Sequence, residues 1–185
     1  APTLANDGTL TFGNATGDSF TFNGGLTTSS VAGTVTLNTS ISSSDDNLIF
    51  GAITLGNNVT IDTNSTTTNR ADITIAAITG GSNNLTLSTG DNITGADITA
   101  SGAISGLGDL TLADVGGTAT FSNNVAAAAL SAANTVANII FTGSTNTFSG
   151  ASTLANDGTL TFGDATGDSF TFNGGLTTSS VAGTV

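Results

Sequence analysis

The sequence predicts an all-β chain wound as a parallel β-helix, a β-solenoid with about 20–25 residues per coil. Three observations carry the prediction. Apolar and polar residues alternate in many short runs, Gly, Asn and Asp fill the gaps between runs, and the chain repeats itself after 150 residues.

Taken in order, the runs are GTLTF (8–12), DSFTF (18–22), GTVTL (33–37), DNLIF (46–50), NVTID (58–62), ADITI (71–75), NNLTL (83–87), GDLTL (108–112), GTATF (117–121) and NIIF (138–141). Most place apolar residues two apart with a small polar residue between them, the period of a strand with one buried face. Gly, Asn and Asp between the runs tolerate positive φ at tight corners. Antiparallel sandwiches or barrels also satisfy this spacing. The long repeat favours the solenoid, because tandem duplication extends a solenoid and cannot extend a closed barrel. VAAAALSAANTVANII (125–140) has the propensity of a helix. Inside a stack of coils it reads instead as thin strands that narrow the core, with a short helix as the alternative.

Residues 1–35 and 151–185 differ only at Pro2/Ser152 and Asn14/Asp164. The chain is therefore one continuous solenoid segment, 1–185, with a full unit at 1–150 and the start of the next at 151–185. Coils stacked about 4.8 Å apart put each residue over its counterpart. The expected inward columns hold Leu10, Phe12, Phe20, Phe22, Val35, Leu37, Leu48, Phe50, Val59, Ile61, Ile73, Ile75, Leu85, Leu87, Leu110, Leu112 and Phe121. About eight coils and a length of about 40 Å follow. Like charges repel at this spacing, a reason for keeping Asp sparse.

Composition excludes several function classes. The net charge is −12 with Arg70 as the sole cation, so phosphate contacts of the usual kind are ruled out, and nucleic acid with them. Anionic membrane surfaces are excluded on the same ground. No run of about 18 apolar residues is present to enter a bilayer. Catalysis needs a tuned acid, base or nucleophile in a cleft; the chain has no His, Lys, Tyr, Cys or Glu. An enzyme is not expected, and no catalytic, cofactor or metal site is assigned.

From Asn146 the chain reads NTFSGASTLANDGTL. This resembles the passenger-associated repeat of autotransporter proteins, with Asn146, Thr147, Phe148, Gly150, Leu154, Gly158, Thr159 and Leu160 in matching positions. Ser152–Thr153 departs from the family's Thr followed by a β-branched residue. GAITLGNNVTID, NNLTLSTGDNITG and GAISGLGDLTL resemble the filamentous-haemagglutinin type of large adhesin in texture. The resemblance implies a right-handed parallel β-helix, exported to a bacterial-type cell surface as a stalk, adhesin or fibre. Phe148 and Leu160 would fill core columns, and Gly150 and Gly158 would turn corners.

The remaining candidates have modest readings. Asp18, Asp91, Asp109 and Asp168 each follow glycine and could offer oxygens to Ca²⁺, but no D-x-D-x-D-G loop accompanies them; solvated turns are expected, with no cofactor. Arg70 and the Asp45–Asp46 pair are expected in solvated loops. Thr9/Thr11, Thr34/Thr36, Thr118/Thr120 and Thr159/Thr161 are too unevenly spaced for an ice-binding lattice. N-glycosylation sequons stand at Asn14, Asn38, Asn58, Asn64, Asn84 and Asn92. The expected function is a secreted structural fibre or stalk whose segments associate head to tail. The alternative is an adhesin module whose outward polar rows bind surface or matrix glycans, which the lack of Trp and Tyr disfavours.

Overall fold

The computed structural model describes residues 1–15, 17–65, 70–90 and 94–185. Among these residues there are eighteen strands and no helix. The strands pair in parallel and stack as a β-solenoid of about seven turns.

Each turn has three faces. Face 1 begins at Leu10–Phe12, face 2 at Ser19–Phe22 and face 3 at Leu26–Thr27. The chain then returns to face 1 at Val35–Leu37, one rung above Leu10–Phe12. Some strands cross a corner without a break: Leu48–Leu55 begins on face 3 and ends on face 1. Ile104–Phe121 runs along all three faces, with its register shifting where it bends. Coil length varies more than the sequence suggests. The coil that separates the paired residues Val35 and Ile53 is short, and the coil that separates Ile78 and Ile104 is long. The variation is taken up in the corners, so the strands stay in register.

Register explains the core. Parallel pairing puts like positions over one another, and alternation sends every second side chain inward. Face 3 thus carries an inward column of Leu26, Leu48, Ile73, Ile98, Ala119, Ile139 and Leu160, all buried. Beside it, Phe121 stacks on Phe141 with ring centroids 4.8 Å apart, and Phe141 on Phe162 at 5.9 Å. Phe148 on face 1 stacks on Phe172 at 5.0 Å. The Ala-rich stretch forms the strands Val125–Ala132 and Val136–Phe141. Its small inward residues, Ala127 and Ala132, lie in the coils that hold these large rings, which keeps the core filled at nearly constant section.

Three of the expected core residues depart from the list. Phe20 is 38% exposed, and Leu10 and Phe22 are only half-buried. All three lie on faces 1 and 2 of the first coil, where a strand lies above and none below. The second copy sits at the opposite end, so the same sequence is covered from the other side. Leu160 is 2% exposed there, whereas Leu176 is exposed at 36% against 0% for its equivalent, Leu26. Gly150 and Gly158 stand at corners, and at Gly158 the reason is proximity: a Cβ there would lie 2.5 Å from the Ala137 carbonyl oxygen.

This packing makes the aromatic columns of the interior unequal to those of the end. Phe141→Ala is expected to cost about 3–5 kcal/mol and Phe20→Ala about 1 kcal/mol or less. Urea denaturation followed by circular dichroism measures both, and equal losses would contradict the assignment of Phe20 to an open coil.

Candidate functional site

The polar side chains are organised into ladders rather than into a pocket. On face 3 the residue before each strand's first inward position forms a column of Asn47, Asp72, Asp97, Thr118, Asn138 and Thr159. Asn47 Oδ1 accepts the Asp72 N–H at 2.8 Å, and Asp72 Oδ1 accepts the Asp97 N–H at 2.8 Å. Asp97 Oδ1 accepts the Thr118 N–H at 2.7 Å, and Asn138 Oδ1 accepts the Thr159 N–H at 2.9 Å. Face 2 repeats the device: Asn58 Oδ1 accepts from Asn84 N–H at 2.9 Å, and Asn84 Oδ1 from Asp109 N–H at 2.8 Å. Each side chain caps the strand entry of the coil above, where the backbone donor would otherwise lack a ladder partner.

A second ladder is buried at the corner between faces 2 and 3. Ser43, Thr63 and Thr89 stand at successive coils and are at most 1% exposed. Ser43 Oγ donates to the Asp46 carbonyl, and Thr63 Oγ1 donates to the Ala71 carbonyl at 2.9 Å. Thr89 Oγ1 lies 3.4 Å from the Ala96 carbonyl. These hydroxyls tie the two ends of each corner together. Sequence alternation marks the corners but gives no sign of which hydroxyls turn inward.

The Gly-Asp residues have separate tasks. Asp18 Oδ2 accepts the N–H groups of Asn14 at 2.9 Å and Ala15 at 3.1 Å, closing the turn Gly13–Asp18. Asp168 Oδ2 does the same for Asp164 at 2.9 Å and Ala165 at 3.0 Å. Asp109 belongs to the face 2 ladder, and Asp91 lies outside the described residues. Asp18, Asp109 and Asp168 thus stand on separate coils of the solenoid. Among the described residues no three His, Cys, Asp or Glu side chains gather around a common centre.

Arg70 is exposed, and its guanidinium lies over Gly95 of the next coil, where a Cβ would come within 2.9 Å of Nε and Cζ. Asp45 and Asp46 are half-buried, not fully solvated as the sequence suggests. They occupy the tight turn between Ser40–Ser43 and Leu48–Leu55, where Asp45 has a φ of 63° and its N–H donates to the Thr63 carbonyl at 3.1 Å.

The threonines are more regular in space than in sequence. Thr27, Ile49, Thr74, Thr99, Thr120, Ile140 and Thr161 form one outward column on face 3. Thr60, Thr86, Thr111, Ser131, Thr153 and Thr177 form another on face 2. On face 3 the other Thr of each pair, Thr118 or Thr159, stands in the Asn/Asp column, so the row is one Thr wide. Of the sequon residues, Asn58 and Asn84 are ladder caps, while Asn38 and Asn64 donate their amides to the carbonyls of Gly13 at 2.9 Å and Ser43 at 3.2 Å. Asn14 is exposed in the Gly13–Asp18 turn, and Asn92 lies outside the described residues.

Concave surface is found at the open lower end, where about 530 Å³ is framed by Thr11, Gly13, Asn14, Asp18, Ser19 and Phe20. In the second copy the equivalent strands Leu160–Phe162 and Ser169–Phe172 rest on Val136–Phe141 and Thr145–Phe148. The hollow is thus an uncovered stacking surface. No family model, curated protein or solved structure matches the chain.

Two substitutions separate the roles of the ladders. Asp72 and Asp97 stack as neighbouring like charges, so Asp72→Asn should keep the hydrogen bond and stabilise by roughly 0.2–1 kcal/mol at low salt. Thr63→Val should destabilise by about 1–3 kcal/mol, because buried corner carbonyls lose their donor. Chemical denaturation at low and high ionic strength reads both. A destabilising Asp72→Asn would show that the carboxylate's charge, and not its acceptor oxygen, holds the strand entry.

Proposed function

We propose that the chain is a segment of a structural fibre or stalk, built from tandem β-solenoid units and carried outside the cell on a bacterial-type surface. The observation that supports this reading best is the behaviour of the repeated segment. Its two copies form the same strands, at Leu10–Phe12 and Leu160–Phe162, Ser19–Phe22 and Ser169–Phe172, and Leu26–Thr27 and Leu176–Thr177. Gly13, Gly17 and Gly25 have φ of 77°, 97° and 76°, and Gly163, Gly167 and Gly175 have 82°, 103° and 90°. One copy is covered from above and the other from below. A segment that keeps its shape in both situations suits a place in the middle of an array, with a coil on either side.

Length, stiffness and resistance to proteolysis are then the functional properties, and the core columns supply them. The sequence-level arguments for export are the absence of thiols and the wealth of Asn, Thr, Ser and Gly. Open coils at the two ends expose strand edges in the same three-faced arrangement, which favours head-to-tail association of the isolated segment.

Immunogold electron microscopy on source cells, with an antibody against residues 1–35, tests the location: label along thin surface fibres is expected, and label confined to the cytoplasm would overturn the extracellular reading. Sedimentation of the purified chain tests association. Species that lengthen with concentration are expected, and a strict monomer at high concentration would contradict head-to-tail pairing.

A further inference from the structure

The 150-residue period and the coil period do not divide evenly. From Thr11 on face 1, the column above it passes through Thr36, Thr54 and Thr79 to Ser105. It continues over the Ile104–Val125 pair to Ala126 and then Thr147. That path is six turns. The chain then crosses face 2 at Thr153 and reaches Thr161 on face 3. Thr161 is the sequence equivalent of Thr11, so the two copies stand six and two-thirds turns apart.

Other equivalent pairs shift in the same way. Phe20 pairs with Ile41 on face 2, whereas Phe170 pairs with Asn146 on face 1. Leu26 pairs with Leu48 on face 3, whereas Leu176 pairs with Ser152 on face 2. The turn Gly13–Asp18 joins face 1 to face 2. Its copy, Gly163–Asp168, joins face 3 to face 1, where it lies above the corners at 101–103, 122–124 and 142–144.

We infer that tandem units of this kind wind as a three-fold screw, in which each unit is turned by two-thirds of a turn and advanced about 32 Å. A feature encoded once per unit is then carried on all three corners in rotation and returns to its own corner after three units, about 96 Å along the axis. One feature encoded once per unit is the exposed segment around Asn14 and Ala15, repeated at Asp164 and Ala165. Asn14, Ala15 and Gly17 are exposed in one copy, and Asp164, Ala165 and Gly167 in the other. Asp18 accepts the N–H groups of Asn14 and Ala15, and Asp168 accepts those of Asp164 and Ala165.

This arrangement discriminates between partners by their geometry. A flat substrate touches one side of the fibre and meets only every third turn. A partner that surrounds the fibre meets every turn. The extension past residue 185 rests on the tandem-array reading above; the two-thirds turn can be tested within the chain itself.

The chain has no cysteine, so pairs of spin labels can be placed without background. In the full-length chain, Ala165→Cys paired with Ser101→Cys should give a distance of about 15 Å, the height of three rungs on one corner. Ala15→Cys paired with Ala165→Cys should exceed the axial separation of about 32 Å, because the turns stand on different corners. An Ala165–Ser101 distance lengthened by the width of the section, with Ala15–Ala165 at the bare axial value, would put both turns on one corner and overturn the screw. All three label sites are exposed, and an unchanged circular dichroism spectrum verifies that each variant is folded. Failure here would leave the fibre reading standing, since head-to-tail sedimentation does not depend on the phase between units.

Discussion

Stacking in register is the constraint on which the structure depends. A strand in a parallel solenoid satisfies its peptide groups only through the coils above and below it, about 4.8 Å away. Every side chain therefore stands over the side chain at the same position of its neighbour. Inward positions are mostly apolar, and polar side chains such as Thr63 and Asn146 bond to the backbone there. Outward positions must tolerate their own kind, which Thr does readily and a charge does only at a cost, as at Asp72 and Asp97.

The ladders follow from the same constraint. Where a strand enters the stack, an amide N–H lacks a backbone acceptor in the coil below. Asn47, Asp72, Asp97 and Asn138 supply one from their side chains, coil after coil on face 3. Variable corner lengths are tolerated because these caps and the buried hydroxyls fix the strand starts independently of the loops between them. The fold can thus absorb the short coil between Val35 and Ile53 and the long one between Ile78 and Ile104 without losing register.

Much of this architecture is legible in the sequence, and the failures have physical causes. Period-two runs locate the strands, and the Ala-rich stretch reads as strands because stack geometry overrides helix propensity there. Phe20 misleads because alternation marks an inward position whether or not a coil lies beneath it. The Thr columns are hidden because unequal corners make spacing in sequence irregular while spacing in space is even. Asn and Asp read as turn residues on the strength of their tolerance for positive φ. Asn47, Asp72 and Asp97 instead serve as acceptors for the next coil, a contact between positions about 25 apart in sequence. The phase between units cannot be read at all, since it requires a count of coils to a third of a turn.

The central claim is that the repeated segment is built to be covered on both faces, so that units join without a seam. Hydrogen exchange at the Leu176 amide tests it most directly, comparing the present chain with one extended by the residues that follow position 35 of the unit. Protection at the Leu176 amide is predicted to rise on extension to the level of Leu26, whose N–H donates to the Asn47 carbonyl of the coil above at 3.1 Å. Unchanged, rapid exchange in the extended chain would mean that the added residues do not stack, and that the solenoid ends within the second unit.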